Sequence, residues 1–221
     1  MVTLDYQHRD NRRRDAWAQF RRSVFGPSRA DVWGAFARQV GGTYVPGRWL
    51  ASQKVLLTIG DCWPAVLDVH HVSAGESSES YTRLRCVFSS RNGFHFSVQR
   101  SNLLTPVARW MGFQNIDIGD NAFDESFVLK SNSPAQVRRL LADQSLRRRI
   151  STTLPRGKLA VEAFRKAPRH GSHRIDELRL ETRGVIKDIA RLQRWVETFS
   201  AVMTTLVAER VAETRDPLVR L

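Results

Sequence analysis

The sequence predicts an α+β fold, in which an antiparallel β-meander sheet is flanked by helices and closed by a long C-terminal helix. The first observation is that four β-type segments with alternating apolar and polar residues follow one another between residues 54 and 100. The second is that, from residue 189 onward, apolar residues recur three and four positions apart, the spacing of one helical face. The chain has 221 residues, of which 42% are hydrophobic, so it can build the core of one such domain.

The predicted domain organisation is a basic N-terminal arm at residues 1–27, a single α+β domain at 28–215 and a C-terminal tail at 216–221. The arm is predicted to be helical, because its aromatic and aliphatic residues recur at helical spacing. A further helix is expected to begin after Ser28, because Asp31 stands three residues further on and the two residues can form a capping box.

Four strands are predicted at residues 54–60, 63–72, 81–90 and 94–100. The Asn92-Gly93 pair is typical of a type I′ hairpin turn, because both residues tolerate the positive φ that this turn requires. We therefore expect the third and fourth strands to pair directly with each other. Alternation predicts a polar sheet face that carries Tyr81, Arg83, Arg85, His95, Ser97 and Gln99.

The middle of the chain is predicted to contain a short helix at 105–112, strands at 116–120 and 126–131, and one helix at 134–150. Two late strands follow, in the segments KLAVEAF and RIDELRLETRGVI.

Ser133 and Gln136 stand at the start of the predicted helix at 134–150, in the positions of a capping box. The same join could hold an anion, since free backbone N–H groups and the helix dipole point there and Lys130 is near. No glycine-rich loop accompanies it, so a capped corner in the chain is the preferred interpretation.

The C-terminal helix has the clearest pattern in the sequence. Its predicted stripe consists of Ile189, Leu192, Trp195, Val196, Phe199, Val202, Met203 and Leu206. Packing of this stripe against the sheet is the favoured interpretation. A homodimer through the same helix is the alternative, because the spacing is also compatible with heptads.

The net charge of +13 favours a polyanionic partner, such as nucleic acid or another polyanion. Of the 35 basic residues 30 are arginine, a skew that GC-rich codon usage also produces, so the charge alone leaves both origins open. The basic residues concentrate in the arm and in the segment from 134 to 170. The candidate polyanion-binding residues are Arg12, Arg13, Arg14, Arg138, Arg139, Arg147, Arg148 and Arg149.

A second candidate site combines Asp68, His70 and His95, which would share one sheet face if the strand registers allow. Their spacing matches no established metal signature. The acidic segment 116–126 lacks the calcium-loop pattern of an EF-hand and is expected to be an acidic loop. The sequence therefore predicts no metal ligand, and it contains no motif that names a catalytic residue or a cofactor.

The segments FDESFVLKSNSPAQVRRLL and RIDELRLETRGVIKDIARL together resemble a family of uncharacterised bacterial proteins. That family has an F-D-x-x-F-V-x-K-S-N-x-P block before a helix and a late G-x-I-K-D segment before the last helix. The resemblance covers about residues 30 to 215 and implies the same fold, with no assigned activity and no catalytic residues.

Three functional hypotheses follow from the sequence. The leading one is a non-catalytic binding or scaffold module with a basic surface. The alternative is a non-specific nucleic-acid-binding protein, since no helix-turn-helix, RNP or zinc-finger pattern is present. The weakest is a metal-dependent or hydrolytic enzyme at Asp68, His70 and His95. No signal peptide or transmembrane run is evident, so a cytoplasmic location is expected.

Overall fold

Eight strands form one antiparallel sheet in the computed structural model, which describes residues 26–47, 52–74, 77–101, 115–165 and 174–215 together with 217, 219 and 221. The strands are β1 Thr43–Val45, β2 Lys54–Ile59, β3 Trp63–Ala74, β4 Ser77–Ser90, β5 Phe96–Arg100, β6 Phe127–Ser131, β7 Gly157–Ala163 and β8 Arg174–Arg183. Their order in the sheet is β1-β2-β3-β4-β8-β7-β5-β6.

Five helices accompany the sheet in the described part of the chain. They are α1 Arg29–Gln39, α2 Asn121–Ser126, α3 Pro134–Leu140, α4 Gln144–Thr153 and α5 Ile189–Ala208. The predicted α+β class, with an antiparallel sheet and a long C-terminal helix, is confirmed. None of the described helices is long and apolar enough to span a membrane.

The sheet has one apolar and one polar face, because each strand alternates its side chains. Buried residues of all five helices join a single core cluster with strand residues such as Leu67, Leu84, Val98 and Leu180. Outward-facing Val87 does not belong to this cluster. The described helices therefore pack on one face of the sheet and leave the polar face to form a surface of its own.

The apolar stripe of α5 is buried within the chain itself. Trp195 and Phe199 are at most 1% exposed, and α5 packs against α1, α4, β2 and β8. Thr198 of α5 shares a buried hydrogen bond with Thr153 of α4, with 2.8 Å between their hydroxyl oxygens. The predicted packing of this helix on the sheet is confirmed, while the homodimer stays a prediction.

The predicted hairpin at Asn92-Gly93 is wrong. The edge of β4 pairs with β8 instead, and β5 lies two strands further on, between β7 and β6. Only Gly93 has a positive φ, whereas a type I′ turn needs it at both residues. The positive φ of Gly93 favours glycine there, and a Cβ would displace the guanidinium of Arg174.

The predicted strand at 116–120 and the single helix at 134–150 are also wrong. The carboxylate of Asp124 accepts hydrogen bonds from three successive backbone N–H groups at residues 118 to 120, and this bends the segment away from a strand. The long helix is interrupted between α3 and α4, where the Asp143 carboxylate accepts from the N–H of Ser145 and caps α4.

Ser28 and Asp31 form the predicted capping box at the start of α1. The capping box predicted at Ser133 is wrong, because the Ser133 side chain makes no cap hydrogen bond. Instead, the Ser131 hydroxyl accepts from the N–H of Ser133 and donates to the carbonyl oxygen of His95. These hydrogen bonds connect the corner between β6 and α3 to the residue that precedes β5.

Several predictions lie outside the described residues. These include almost all of the basic arm at 1–27, with Arg12, Arg13 and Arg14, and the short helix at 105–112. The predicted domain boundaries stay predictions. Of the two cysteines, Cys86 is buried and Cys62 is half-buried, and neither forms a disulfide.

Candidate functional site

The polar face of the sheet carries two arginines directly opposite each other. Arg85 on β4 is the cross-strand partner of Arg179 on β8. Like charges in directly opposed positions repel and destabilise a sheet. We call this pair of residues the arginine pair.

Each arginine of the pair donates a hydrogen bond to one carboxylate. Arg85 donates from Nη2 to Oδ2 of Asp68 at 2.6 Å, and Asp68 also receives two hydrogen bonds from Arg83. Arg179 donates from Nη2 to Oε2 of Glu162 at 2.9 Å. Both guanidinium groups are therefore fixed in position before any ligand arrives.

Each of the two guanidinium groups also has a nitrogen atom that makes no hydrogen bond. The Nε atoms of Arg85 and Arg179 are buried and have no hydrogen-bond partner in the described structure. Arg179 Nε lies 3.4 Å from the Glu181 carboxylate, but this contact lacks hydrogen-bond geometry. These Nε atoms are shielded from the cavity as well, so an anion would contact the accessible part of each side chain, which is 18% exposed for Arg85 and 25% exposed for Arg179.

Glu177 precedes Arg179 by two residues on β8, so its side chain lies on the same face of the sheet, and it lines the same cavity. It forms no hydrogen bond or ion pair with the described residues. Burial raises the pKa of Glu177, and the charges of Arg85 and Arg179 only partly oppose this effect. Its cross-strand partner is Glu162.

Glu162 differs from Glu177 because it is paired. Burial acts to raise the pKa of Glu162, but hydrogen bonds and charges from Lys158 and Arg179 outweigh it and lower the pKa. The two opposed carboxylates therefore have opposite pKa shifts, and Glu177 is the one left without a partner.

Replacing Glu177 with glutamine is expected to stabilise the protein at neutral pH. The folded-state pKa of Glu177 is raised above its ordinary value of 4.5. The contribution of Glu177 to stability is therefore favourable below pH 4.5 and is lost as the pH rises through the folded-state pKa. Thermal melting at pH 7 should show a gain of about 2–4 °C for Glu177→Gln, which corresponds to about 1 kcal/mol for a chain of this size. The gain should shrink as the pH approaches 4.5. An equal gain at both pH values would contradict the assigned cause.

Two cavities lie side by side on the polar face. One has a volume of about 450 Å³ and is lined by the arginine pair, Glu177 and the apolar side chains of Phe164 and Leu221. The other has a volume of about 630 Å³, and the two share His70, Arg83 and Arg179 in their walls. Seven basic and four acidic described side chains line them together, a net charge of +3 with histidine neutral.

Two aromatic groups at the second cavity are also electrostatically perturbed. Burial lowers the pKa of His70, and the charge of Arg83 acts in the same direction. The hydrogen bond from the Tyr81 hydroxyl to Glu79 raises the pKa of Tyr81, and burial adds to it. Both rings are therefore neutral at pH 7, and the positive charge of the site comes from arginine and lysine.

The predicted site of Asp68, His70 and His95 is not assembled. β3 and β5 are separated by three other strands, which places them roughly 19 Å apart at the usual strand spacing. The Asp68 carboxylate accepts hydrogen bonds from Arg83 and Arg85. The grouping was wrong because it assumed that β5 follows β4 in the sheet. Among the described residues, no cluster of three His, Cys, Asp or Glu side chains could hold a metal ion.

His95 instead contacts Asp176, whose side chain is completely buried. His95 Nε2 lies 3.2 Å from Asp176 Oδ1, and Arg174 Nε lies 3.5 Å from the same oxygen. The second oxygen, Asp176 Oδ2, is buried without a hydrogen-bond partner in the described structure. This pair joins the start of β8 to the segment before β5.

The predicted polyanion-binding arginines of α3 and α4 have different environments. Arg147 donates to the Asp120 carboxylate and to the carbonyl oxygens of Leu141 and Ala142, so it holds the α3–α4 corner together. Its hydrogen bond lowers the pKa of Asp120.

The other four described arginines of this set lie on the surface. Arg138 donates to the carbonyl oxygen of Asp117, and Arg139 pairs with Glu209. Arg148 and Arg149 are exposed, and their side chains form no hydrogen bond or ion pair with the described residues. Nucleic-acid binding by this set stays a prediction, and Arg148 and Arg149 are its available residues.

No protein-family model matches the sequence, and no curated protein matches it. Among solved structures, the chain is similar to the crystal structure of the mycobacterial trehalose monomycolate transport factor A, TtfA. The identity is 12%, the TM-score is 0.49, and the match covers 80% of this chain and 94% of that chain. The resemblance to an uncharacterised bacterial family stays a resemblance.

The arginine pair and Glu177 were missed as site residues by the sequence reasoning. Alternation did place Arg83 and Arg85 on a polar face. The segment from 177 to 183 alternates glutamate and arginine in the same way, which was the available signal. The sequence does not show which strand pairs with this segment, so the cross-strand pairing of Arg85 with Arg179 could not be predicted.

Proposed function

We propose that this protein is a non-catalytic binding module that holds an anionic ligand on the polar face of its sheet. The observation that carries the proposal is the arginine pair, which occupies directly opposed strand positions and lines one cavity. An anion in this cavity would offset the positive charge of both residues and accept charge-assisted hydrogen bonds from the accessible part of their guanidinium groups.

The surroundings of the arginine pair support binding in a fixed geometry. Asp68 and Glu162 anchor the two guanidinium groups by hydrogen bonds, so little side-chain entropy is lost when a ligand binds. The cavity volumes fall in the range of small-molecule sites. Acidic side chains are interleaved with the basic ones, which favours a small anion over a long polyanion that would have to pass them.

The test measures the affinity for inorganic phosphate and for citrate by calorimetry at low ionic strength. The double variant Arg85→Gln/Arg179→Gln should bind at least about tenfold more weakly than the wild type, because charge-assisted hydrogen bonds contribute about 1.5–3 kcal/mol each. The matched control is Arg148→Gln/Arg149→Gln, which removes the same charge from the exposed surface of α4 and should leave the affinity unchanged.

Two results would count against the proposal. One is an equal loss of affinity in both double variants, which would mean that only the overall charge matters. The other is no anion binding by the wild type. Salt-sensitive DNA binding that depends on Arg148 and Arg149 would instead support the nucleic-acid prediction.

A further inference from the structure

The cavity of about 450 Å³ is lined by two kinds of charged group. The arginine pair supplies hydrogen-bond donors only, whereas an ionised carboxylate such as that of Glu177 is an acceptor only. Glu177 has no hydrogen-bond partner among the described residues, and it lines the same cavity as the arginine pair. A simple carboxylate bound to the arginines would accept hydrogen bonds from them but would present only further acceptors to Glu177.

We infer that the ligand is a hydroxylated organic anion, with its anionic group against Arg85 and Arg179 and a hydroxyl group donating to Glu177. This inference rests on the proposed function and names the class of ligand for the same site. The hydroxyl would supply the hydrogen-bond donor to Glu177 that no described residue provides.

The donor that faces Glu177 is a hydroxyl rather than an ammonium group. The wall of this cavity includes four arginines against two glutamates. An ammonium group on the ligand would be repelled by this surplus of positive charge, whereas a neutral hydroxyl group would not. The charge of the cavity therefore selects a ligand that carries negative charge at one end and uncharged polar groups elsewhere.

The spacing of the groups sets the approximate length of the ligand. Glu177 and Arg179 are two residues apart on one strand and on one face, which corresponds to about 6.6–6.8 Å along β8. The anionic group and the hydroxyl must therefore be several bonds apart, as they are in a six-carbon sugar acid or sugar phosphate. Phe164 and Leu221 offer an apolar wall for the carbon skeleton.

The experiment uses a thermodynamic cycle between ligand and protein. Gluconate is compared with hexanoate, which has the same chain length and carboxylate but no hydroxyl groups, and glucose 6-phosphate is compared with inorganic phosphate. The dissociation constants of all four are measured for the wild type and for Glu177→Ala. The carboxylate and phosphate arms distinguish a sugar acid from a sugar phosphate as the source of the anion.

We expect the ratio of the hexanoate to the gluconate dissociation constant to fall about tenfold on going from the wild type to Glu177→Ala, which corresponds to about 1.4 kcal/mol. The inference requires that either this ratio or the ratio of the inorganic phosphate to the glucose 6-phosphate dissociation constant falls in Glu177→Ala. Glu177→Gln keeps the shape with an uncharged acceptor, and the ratio should then fall about threefold. The matched control Glu197→Ala removes an exposed glutamate from α5 and should leave both ratios unchanged.

The outcomes separate this inference from the proposed function. If all four anions bind and neither ratio changes in Glu177→Ala, the inference is overturned and the anion site stands. If the wild type binds none of them, the proposed function itself fails. If Glu177→Ala does not fold, Glu177→Gln decides, and an unchanged ratio in that variant overturns the inference.

Discussion

Replacing Phe199 with alanine is expected to lower the free energy of unfolding by about 3–5 kcal/mol. Phe199 is completely buried in α5 and belongs to the core cluster that joins the helices to the apolar face of the sheet. The substitution removes most of an aromatic side chain and leaves a cavity that rigid neighbours fill only in part. Urea unfolding followed by circular dichroism measures the change.

The matched control for Phe199→Ala is Glu197→Ala, on the exposed side of the same helix. It should change the free energy of unfolding by no more than about 0.5 kcal/mol. If the alanine variant does not fold, Phe199→Leu should still be measurable, with a loss of about 1–2 kcal/mol. Equal effects at residues 197 and 199 would show that α5 does not pack on the sheet.

Replacing His95 with alanine is expected to destabilise the protein by about 2–3 kcal/mol, although His95 is partly exposed. The reason lies in its partner. Asp176 is completely buried, and without His95 its remaining described contact is the 3.5 Å approach of the exposed Arg174. A buried carboxylate that loses its partner bears the full cost of its desolvation.

The control for His95→Ala is the double variant His95→Ala/Asp176→Asn. Asparagine has almost the same shape as aspartate but no charge, so the double variant should recover at least half of the lost stability. If the loss is the same with aspartate and asparagine at residue 176, the effect of His95 comes from its own packing and the electrostatic explanation is wrong.

These expectations separate the parts of the fold that provide stability from the part that is available for binding. The apolar face packs against the helices, and the His95–Asp176 pair joins the start of β8 to the segment before β5. The polar face keeps two opposed arginines and an unpaired carboxylate, an arrangement that reduces stability. Local electrostatic conflict of this kind is typical of ligand sites, where the bound molecule relieves it.

The sequence by itself determined those features that depend on residues close together in the chain. The stripe of α5 follows from a period of 3.6 residues, and the start of α1 follows from the short reach of Ser28 to Asp31. Alternation within β4 assigned Leu84 and Cys86 to the core and Arg83 to the polar face. Burial of apolar surface and local hydrogen bonding suffice to produce all of these.

Only the tertiary structure decided which strands are neighbours and where the long helix breaks. Every strand edge offers the same backbone donors and acceptors, so alternation predicts the face of a side chain but not its neighbour across the sheet. The insertion of β8 and β7 between β4 and β5 separated His95 from Asp68 and brought Arg179 opposite Arg85. The candidate site exists because of that strand order, which packing of the whole chain selects over the shorter hairpin.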